Sequence, residues 1–333
     1  MQLFFGISGF IIALPFARSR LAGDKPVNLR SYYLRRLTRI EPPYVIHLAF
    51  LFMLCALLLR WQPGEQHYYQ NSNWLDYSGR HILASLFYSN GFIYGSHPYP
   101  NVVLWSLEVE VQFYLLAPIL MQVYTIDRVW LRRGLLVGAI ALLPLTGGWI
   151  GNWLGSPYLG WASLLGNFQF FLVGFLLADW QASAKTPAPR NWLWDFLFIL
   201  AGFIVAFGRQ SAWMGFVLPG IIGVCMVAAF KGTLAFRVLG NRWVTIIGGM
   251  CYTIYMYHLL LMSFLIRLPI FPHTHILWLD LLLYLVIMSL VIVPVCAVLF
   301  VVAERPFMRR DWPRKLVERF RGATRPEKLT TRS

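Results

Sequence analysis

Long apolar runs dominate this chain, and they decide its solvent before any other feature is considered. Nine stretches, at roughly 2–16, 43–60, 102–122, 134–150, 160–180, 192–208, 212–230, 243–266 and 276–302, are apolar over lengths that approach or reach a membrane crossing. A span needs about 20 such residues, with a range of about 17–25, so the first stretch is short. A further run, His81 to Tyr94, is better suited to a re-entrant or interfacial segment. In hydrocarbon every backbone N–H and C=O must be satisfied within the protein, which leaves helices as the economical solution. The expected fold is therefore all-α: a polytopic transmembrane helical bundle of about nine spans plus one re-entrant or interfacial segment. Composition agrees, because only 13% of residues are charged where soluble domains carry about a quarter.

The charges that remain are arranged asymmetrically. The net charge is +15, and all but four of the 29 Lys and Arg residues fall in 17–41, 123–133, 181–191, 231–242 and 303–333. Only Arg60, Arg80, Arg209 and Arg267 lie elsewhere. Nine crossings put those five segments on one side, which the positive-inside rule makes cytoplasmic. The partner of this positive charge is then the lipid bilayer, not nucleic acid. The same count starts Met1 outside, with no basic leader or cleavage site ahead of it, so a preceding helix is expected to be missing from the given sequence. Residues 1–304 read as the membrane domain and 305–333 as a basic cytoplasmic tail, in which Trp312, Leu316 and Phe320 recur at helical spacing after Pro313. That pattern suits a helix lying on an anionic leaflet. Cys55, Cys225, Cys251 and Cys296 show no CxxC spacing, so neither a disulfide framework nor a metal site is suggested.

Four places carry chemistry. In YYLRRLTRIEPPY, Tyr32 to Tyr44, Arg36 and Arg39 are helical neighbours at i, i+3, and Arg35 and Arg39 at i, i+4. Tyr33, Leu37 and Ile40 form the opposite side, and Pro42 and Pro43 are expected to break the helix. Clustered guanidiniums suit a polyphosphate, or equally a topology anchor on lipid phosphates. In WSLEVEVQFYLL, Trp105 to Leu116, a carboxylate within hydrocarbon is costly unless paired or facing a polar cavity. Glu108 and Glu110 point to different sides: Ser106, Glu110 and Tyr114 share one face, and Trp105, Glu108 and Gln112 another. Each acid is either functional or bonded to a neighbouring helix. In GGMCYTIYMYHLLL, His258 follows Tyr255 by three residues, and a histidine in a span can exchange a proton near neutral pH or serve as a satisfied structural group. His47, alone in the second stretch, reads as structural. In AERPF, Glu304 and Arg305 could simply stop a helix that Pro306 ends.

Taken in order, these segments resemble the acyltransferase-3 family of membrane-bound acyltransferases, which includes O-antigen and peptidoglycan O-acetyltransferases. FFGISGFII resembles F-x-x-S-G-F-L-I, YYLRRLTRIEPPY resembles Y-x-x-R-R-x-x-R-I-x-P, and WSLEVEVQFYL resembles W-S-L-x-V-E-x-Q-F-Y-L. CYTIYMYH is similar to S-Y-x-x-Y-L-x-H, and AERPF to the closing E-R-P, so the motifs run from Phe4 to Phe307. The resemblance implies a multi-pass protein of a bacterial cytoplasmic membrane that takes an acyl group, usually acetyl, from cytoplasmic acyl-CoA. It passes that group to a hydroxyl of an envelope glycan or glycolipid. Acyl-CoA (acetyl-CoA) is a co-substrate, and no permanently bound cofactor is expected. By the same resemblance Arg36 and Arg39, with Arg35, would bind the donor. Glu110 and His258 would be catalytic, and Trp105, Gln112 and Tyr255 would shape the acceptor or transfer site. The chain departs from the pattern at Val111, where an acid is common, and at Cys251, where Ser is usual. It also starts at what corresponds to the family's second helix, so the basic residue and histidine of the first are not in it. A proton-coupled transporter, or a non-catalytic remnant of the family, are the alternative readings; the former expects paired Gly/Pro-broken helices, which the sequence does not display.

Overall fold

The computed structural model describes residues 1–61, 74–153, 155–184, 189–208, 212–268, 276–308 and 312. Among these the regular elements are all helical. In chain order they are α1 (Gln2–Leu21), α2 (Leu29–Trp61), α3 (Trp74–Leu86), α4 (Asn90–Tyr94), α5 (Leu104–Leu120) and α6 (Val129–Leu142). Then come α7 (Thr146–Trp153), α8 (Pro157–Ala162), α9 (Leu164–Ser183), α10 (Trp192–Phe207) and α11 (Ala212–Lys231). The last are α12 (Thr233–Leu239), α13 (Arg242–Gly249), α14 (Cys251–Leu265) and α15 (Leu277–Leu299).

Among the described residues, six helical segments are individually long and apolar enough to cross a membrane: Gln2–Leu21, Leu29–Leu57, Leu104–Thr125, Pro157–Ser183, Trp213–Lys231 and Leu277–Met308. A seventh arises if α13 and α14, interrupted at Met250, form one span. Two expected stretches take other forms. The 192–208 stretch is a helix of 16 residues, and 134–150 is divided between α6, a 3-10 turn at Leu143–Leu145 and α7. Pro144 opens that turn, and it has no N–H to continue a helix ladder. The 81–94 run is the end of α3, a turn in which Tyr88 takes φ 52°, and the short α4.

The expected break at Pro42 and Pro43 is overturned: both lie inside the continuous 33-residue α2. A proline inside a membrane helix is tolerated where neighbours satisfy the disturbed backbone; the carbonyls freed here are those of Thr38 and Arg39, and the Tyr252 hydroxyl donates close by, to the Ile40 carbonyl at 3.2 Å. The tail residues 309–311 and 313–333, with Leu316 and Phe320, lie outside the described residues.

The chain divides into two compact units, Met1–Leu29 with Leu51–Gly249, and Arg30–Phe50 with Met250–Ser333. In the first unit α1 packs along α9, and glycine makes the approach possible. A Cβ at Gly9 would overlap the Phe171 carbonyl, and one at Gly174 would overlap the backbone of Gly6 and Phe10. Small residues that let helix backbones meet are a standard means of association in lipid, where burial of apolar surface drives little. Phe171 stacks between Phe5 (4.8 Å) and Phe113 (4.1 Å), which brings α5 onto the same core. At the far end of α9 the buried Asp179 accepts from Arg132 Nε and, at 2.6 Å, from Arg133 Nε. This is a paired charge cluster that a reading of 123–133 as a basic loop does not anticipate. In the second unit His47 is fully buried, with its ring 4.5 Å from that of Tyr257.

Candidate active site

The first unit holds Trp105, Glu110 and Gln112 on α5, whose opening turns place the two acids on different faces. Glu110 is half-buried and faces α1: the hydroxyls of Ser8 and Tyr114 both donate to its Oε1. Tyr114 is the i+4 neighbour expected from helical spacing; Ser8, 102 residues away in sequence, is supplied by the fold. Among the described residues no hydrogen bond reaches Glu110 Oε2, so that oxygen is open to a further donor. Gln112 is half-buried one turn from Glu108.

Glu108 is 3% exposed and is held differently. Its Oε1 accepts from the backbone N–H of Asn90 (3.3 Å) and its Oε2 from that of Gly91 (3.1 Å), at the start of α4. Asn90 in turn lies 2.7 Å from His81 Nδ1 through its side-chain oxygen and donates to the Ser96 carbonyl at 3.2 Å. His81 is stacked on Tyr94 with ring centres 4.2 Å apart. Burial pushes His81 below its ordinary value near 6.5, with the bond to Asn90 opposing that shift. A Cβ at Gly91 would stand 3.1 Å from Tyr158 Cε1, so that ring would have to give way by a few tenths of an ångström. Both Glu108 oxygens are therefore consumed in joining α5 to the α3–α4 corner.

Trp105 packs edge-on to Trp161 (5.1 Å) and to Phe5 (6.1 Å). It also lines a cavity of about 700 Å³ formed by the starts of α1, α5, α9 and α11, the 3-10 turn at Leu143–Leu145, and α7 and α8. The functional-site reading of the sequence missed that cavity's Asn167 and Gln169. Both are uncharged amides in an apolar run, with no spacing signal to mark them.

The second unit holds Arg35, Arg36, Arg39, Tyr255 and His258. Arg35 and Arg39 are exposed and Arg36 is half-buried, its guanidinium 5.9 Å from the Tyr32 ring centre. His258 is half-buried, 5.7 Å from the ring of Tyr255. Its Nδ1 lies 2.7 Å from the Tyr255 carbonyl and 3.2 Å from the Ile254 carbonyl. A carbonyl oxygen can only accept, so Nδ1 carries the hydrogen, and in the neutral imidazole Nε2 is then the nitrogen with the lone pair. Glu304 is more than a helix stop: it is fully buried, accepts from the Thr253 hydroxyl and lies within electrostatic reach of Arg39. The motif around AERPF marked its position, but only the fold pairs it with Thr253, the third residue of α14.

An apolar helical bundle with one buried and one half-buried acid on one helix and an oriented histidine on another defines a membrane enzyme more readily than a passive anchor. The family model described as "Acyltransferase domain" (Acyl_transf_3) matches residues 1–301, and the chain belongs to this acyltransferase-3 family. The protein is thus a membrane acyltransferase. It is similar to "Nodulation protein 10" of Rhizobium leguminosarum bv. viciae, with 26% identity over 292 residues, 80% of this chain and 72% of that protein. No solved structure matches the chain.

Proposed function

We propose that this acyltransferase takes an acyl group, most simply acetyl, from acyl-CoA and transfers it to a hydroxyl of an envelope glycan or glycolipid. Donor binding falls to Arg36 and Arg39, with Arg35, on the side of a bacterial cytoplasmic membrane that also holds the C-terminus. The acceptor oxygen bonds to the thioester carbonyl carbon as its proton passes to His258 Nε2. The C–S bond then breaks, and CoA leaves as the thiol by taking that proton. We assign Glu110, with Trp105 and Gln112, to acceptor binding in the first unit, and Tyr255 to the surroundings of His258 in the second. A positioned base of this kind contributes about 10²–10⁴-fold to such a transfer.

The observation that carries this reading is the setting of His258. Its Nδ1–H is held by two carbonyl oxygens of its own helix, which leaves Nε2 as the nitrogen that can take a proton. The test is Arg36→Ala combined with Arg39→Ala, in the full chain reconstituted in lipid nanodiscs. Equilibrium binding of radiolabelled acetyl-CoA should weaken at least tenfold, since each charge-assisted bond to phosphate contributes about 1.5–3 kcal/mol. Binding unchanged from the parent chain would remove the arginines from the donor site.

A further inference from the structure

The cavity beside Trp105 has a composition that names its occupant. Its lining includes the rings of Trp105 and Trp161 and the carboxamides of Gln2, Asn152, Asn167 and Gln169, with no charged side chain among the residues that line it. Asn167 and Gln169 are 3% and 4% exposed. Asn167 is occupied in holding the wall together, its Nδ2 donating to the carbonyls of Trp161 (2.6 Å) and Ser163 (3.0 Å). Gln169 donates through Nε2 to the Gly166 carbonyl at 2.9 Å, while its buried Oε1 has no hydrogen-bond partner among the described residues. A buried acceptor left unmet is destabilising, so the site is built to receive a donor.

A volume of about 700 Å³ falls within the range of about 300–1,000 Å³ typical of small-molecule sites. Two tryptophan rings present a flat apolar surface with polar edges, and carboxamides supply both donors and acceptors. A sugar ring matches both demands, since one face is C–H and its rim is hydroxyl. An ionised ligand would lose its hydration here with no counter-charge to meet it. A lipid tail would leave Gln169 Oε1 buried without a donor.

We infer that this cavity is a subsite for an uncharged sugar ring, stacked on Trp105 and Trp161 with a hydroxyl donating to Gln169 Oε1. The assignment rests on the acceptor half of the proposed function and narrows it to a neutral glycan. Its place in the fold fits that role. Gln2 lies on α1, which also carries Ser8, and Trp105 lies on α5, which carries Glu110.

Saturation-transfer NMR on the full chain in nanodiscs tests this with methyl β-glucopyranoside, methyl β-galactopyranoside and methyl β-N-acetylglucosaminide, each set against methyl β-glucuronide. At least one neutral glycoside should receive saturation on its ring C–H protons, at least fivefold more strongly than the glucuronide. Gln169→Leu should abolish that transfer, and so should Trp161→Ala, which alters a half-exposed ring and spares the fold. Acetyl-CoA binding should persist in both variants. Absence of transfer to every neutral glycoside, as for a cavity holding water only, overturns the inference. Equal transfer to the glucuronide overturns it too, as does transfer that survives both substitutions. If a glycoside binds but the parent chain does not bind acetyl-CoA, the donor reading fails while the sugar subsite stands.

Discussion

The surroundings of Glu108 and of Glu110 are two residues apart on α5 and are built on opposite plans. Glu108 is closed: both oxygens accept from backbone N–H groups of Asn90 and Gly91, and its side chain is 3% exposed. Glu110 is half-open, with two side-chain hydroxyls on one oxygen and none on the other. A carboxylate with a backbone amide on each of its oxygens joins elements together. One that keeps an oxygen free, and is bonded by groups able to rotate, can exchange partners during a reaction. Burial alone does not separate the two roles; the identity of the donors does.

Substitution at each position tests that contrast, and the largest effect is expected at Glu110. Glu110→Gln should lower acyl transfer at least 100-fold, the lower end of what a positioned acid–base group contributes (about 10²–10⁴). Its thermal stability in nanodiscs should fall by less than about 1 kcal/mol, since the carboxamide oxygen still accepts from one hydroxyl. Transfer at parental rate would place Glu110 with Glu108 among the structural acids.

Glu108→Ala should do the reverse. It strands two buried N–H groups, at a cost of about 1–3 kcal/mol each, and the unfolding midpoint should drop by several degrees. Glu108→Gln should recover about half of that loss. A midpoint equal to the parent's would mean the α3–α4 corner does not depend on this carboxylate.

Tyr114→Phe sharpens the comparison at smaller cost. It removes one of the two hydroxyls on Glu110 and leaves Ser8, so transfer should fall about fivefold, in line with a single hydrogen bond of about 1 kcal/mol. Stability should scarcely change. A loss as large as that of Glu110→Gln would instead assign Tyr114 a direct part in the chemistry.

How much of this was written in the sequence differs between the two acids. That Glu110 and Tyr114 share a face is a matter of helical spacing, legible in WSLEVEVQFYLL alone. That Ser8 meets them, or that Asn90 and Gly91 cap Glu108, is not. Periodicity tells which side of a helix a residue takes and is silent on what lies opposite. The same limit hid Asp179 from Arg132 and Arg133, and Thr253 from Glu304. The apolar runs made the helices legible, but hydropathy could not decide whether a proline ends a helix. Pro144 sits where the 134–150 stretch divides, whereas Pro42 and Pro43 lie within a continuous α2. The amides Asn167 and Gln169 were the hardest to find, since an uncharged side chain in an apolar run carries no spacing signature.

The smallest predicted effect reaches Glu108 through its outermost partner. His81 is 2% exposed and bonded to Asn90, whose backbone holds Glu108. Burial keeps the ring neutral below its ordinary value near 6.5. Unfolded, it would take up a proton as pH falls through about 6.5, while in the fold it does so only at lower pH. The unfolded chain then binds more protons in that window, so stability must decline on acidification below about 6.5, by less than the one-proton limit of about 1.4 kcal/mol per pH unit. His81→Gln should remove that part of the slope between about pH 7.5 and 5.5 while keeping a donor for Asn90. Thermal midpoints of parent and variant, followed across that range, should therefore diverge at the alkaline end, where the parent is the more stable, and converge at the acid end. Parallel curves would show that His81 titrates freely, and would loosen the closed side of the comparison at its outer rim.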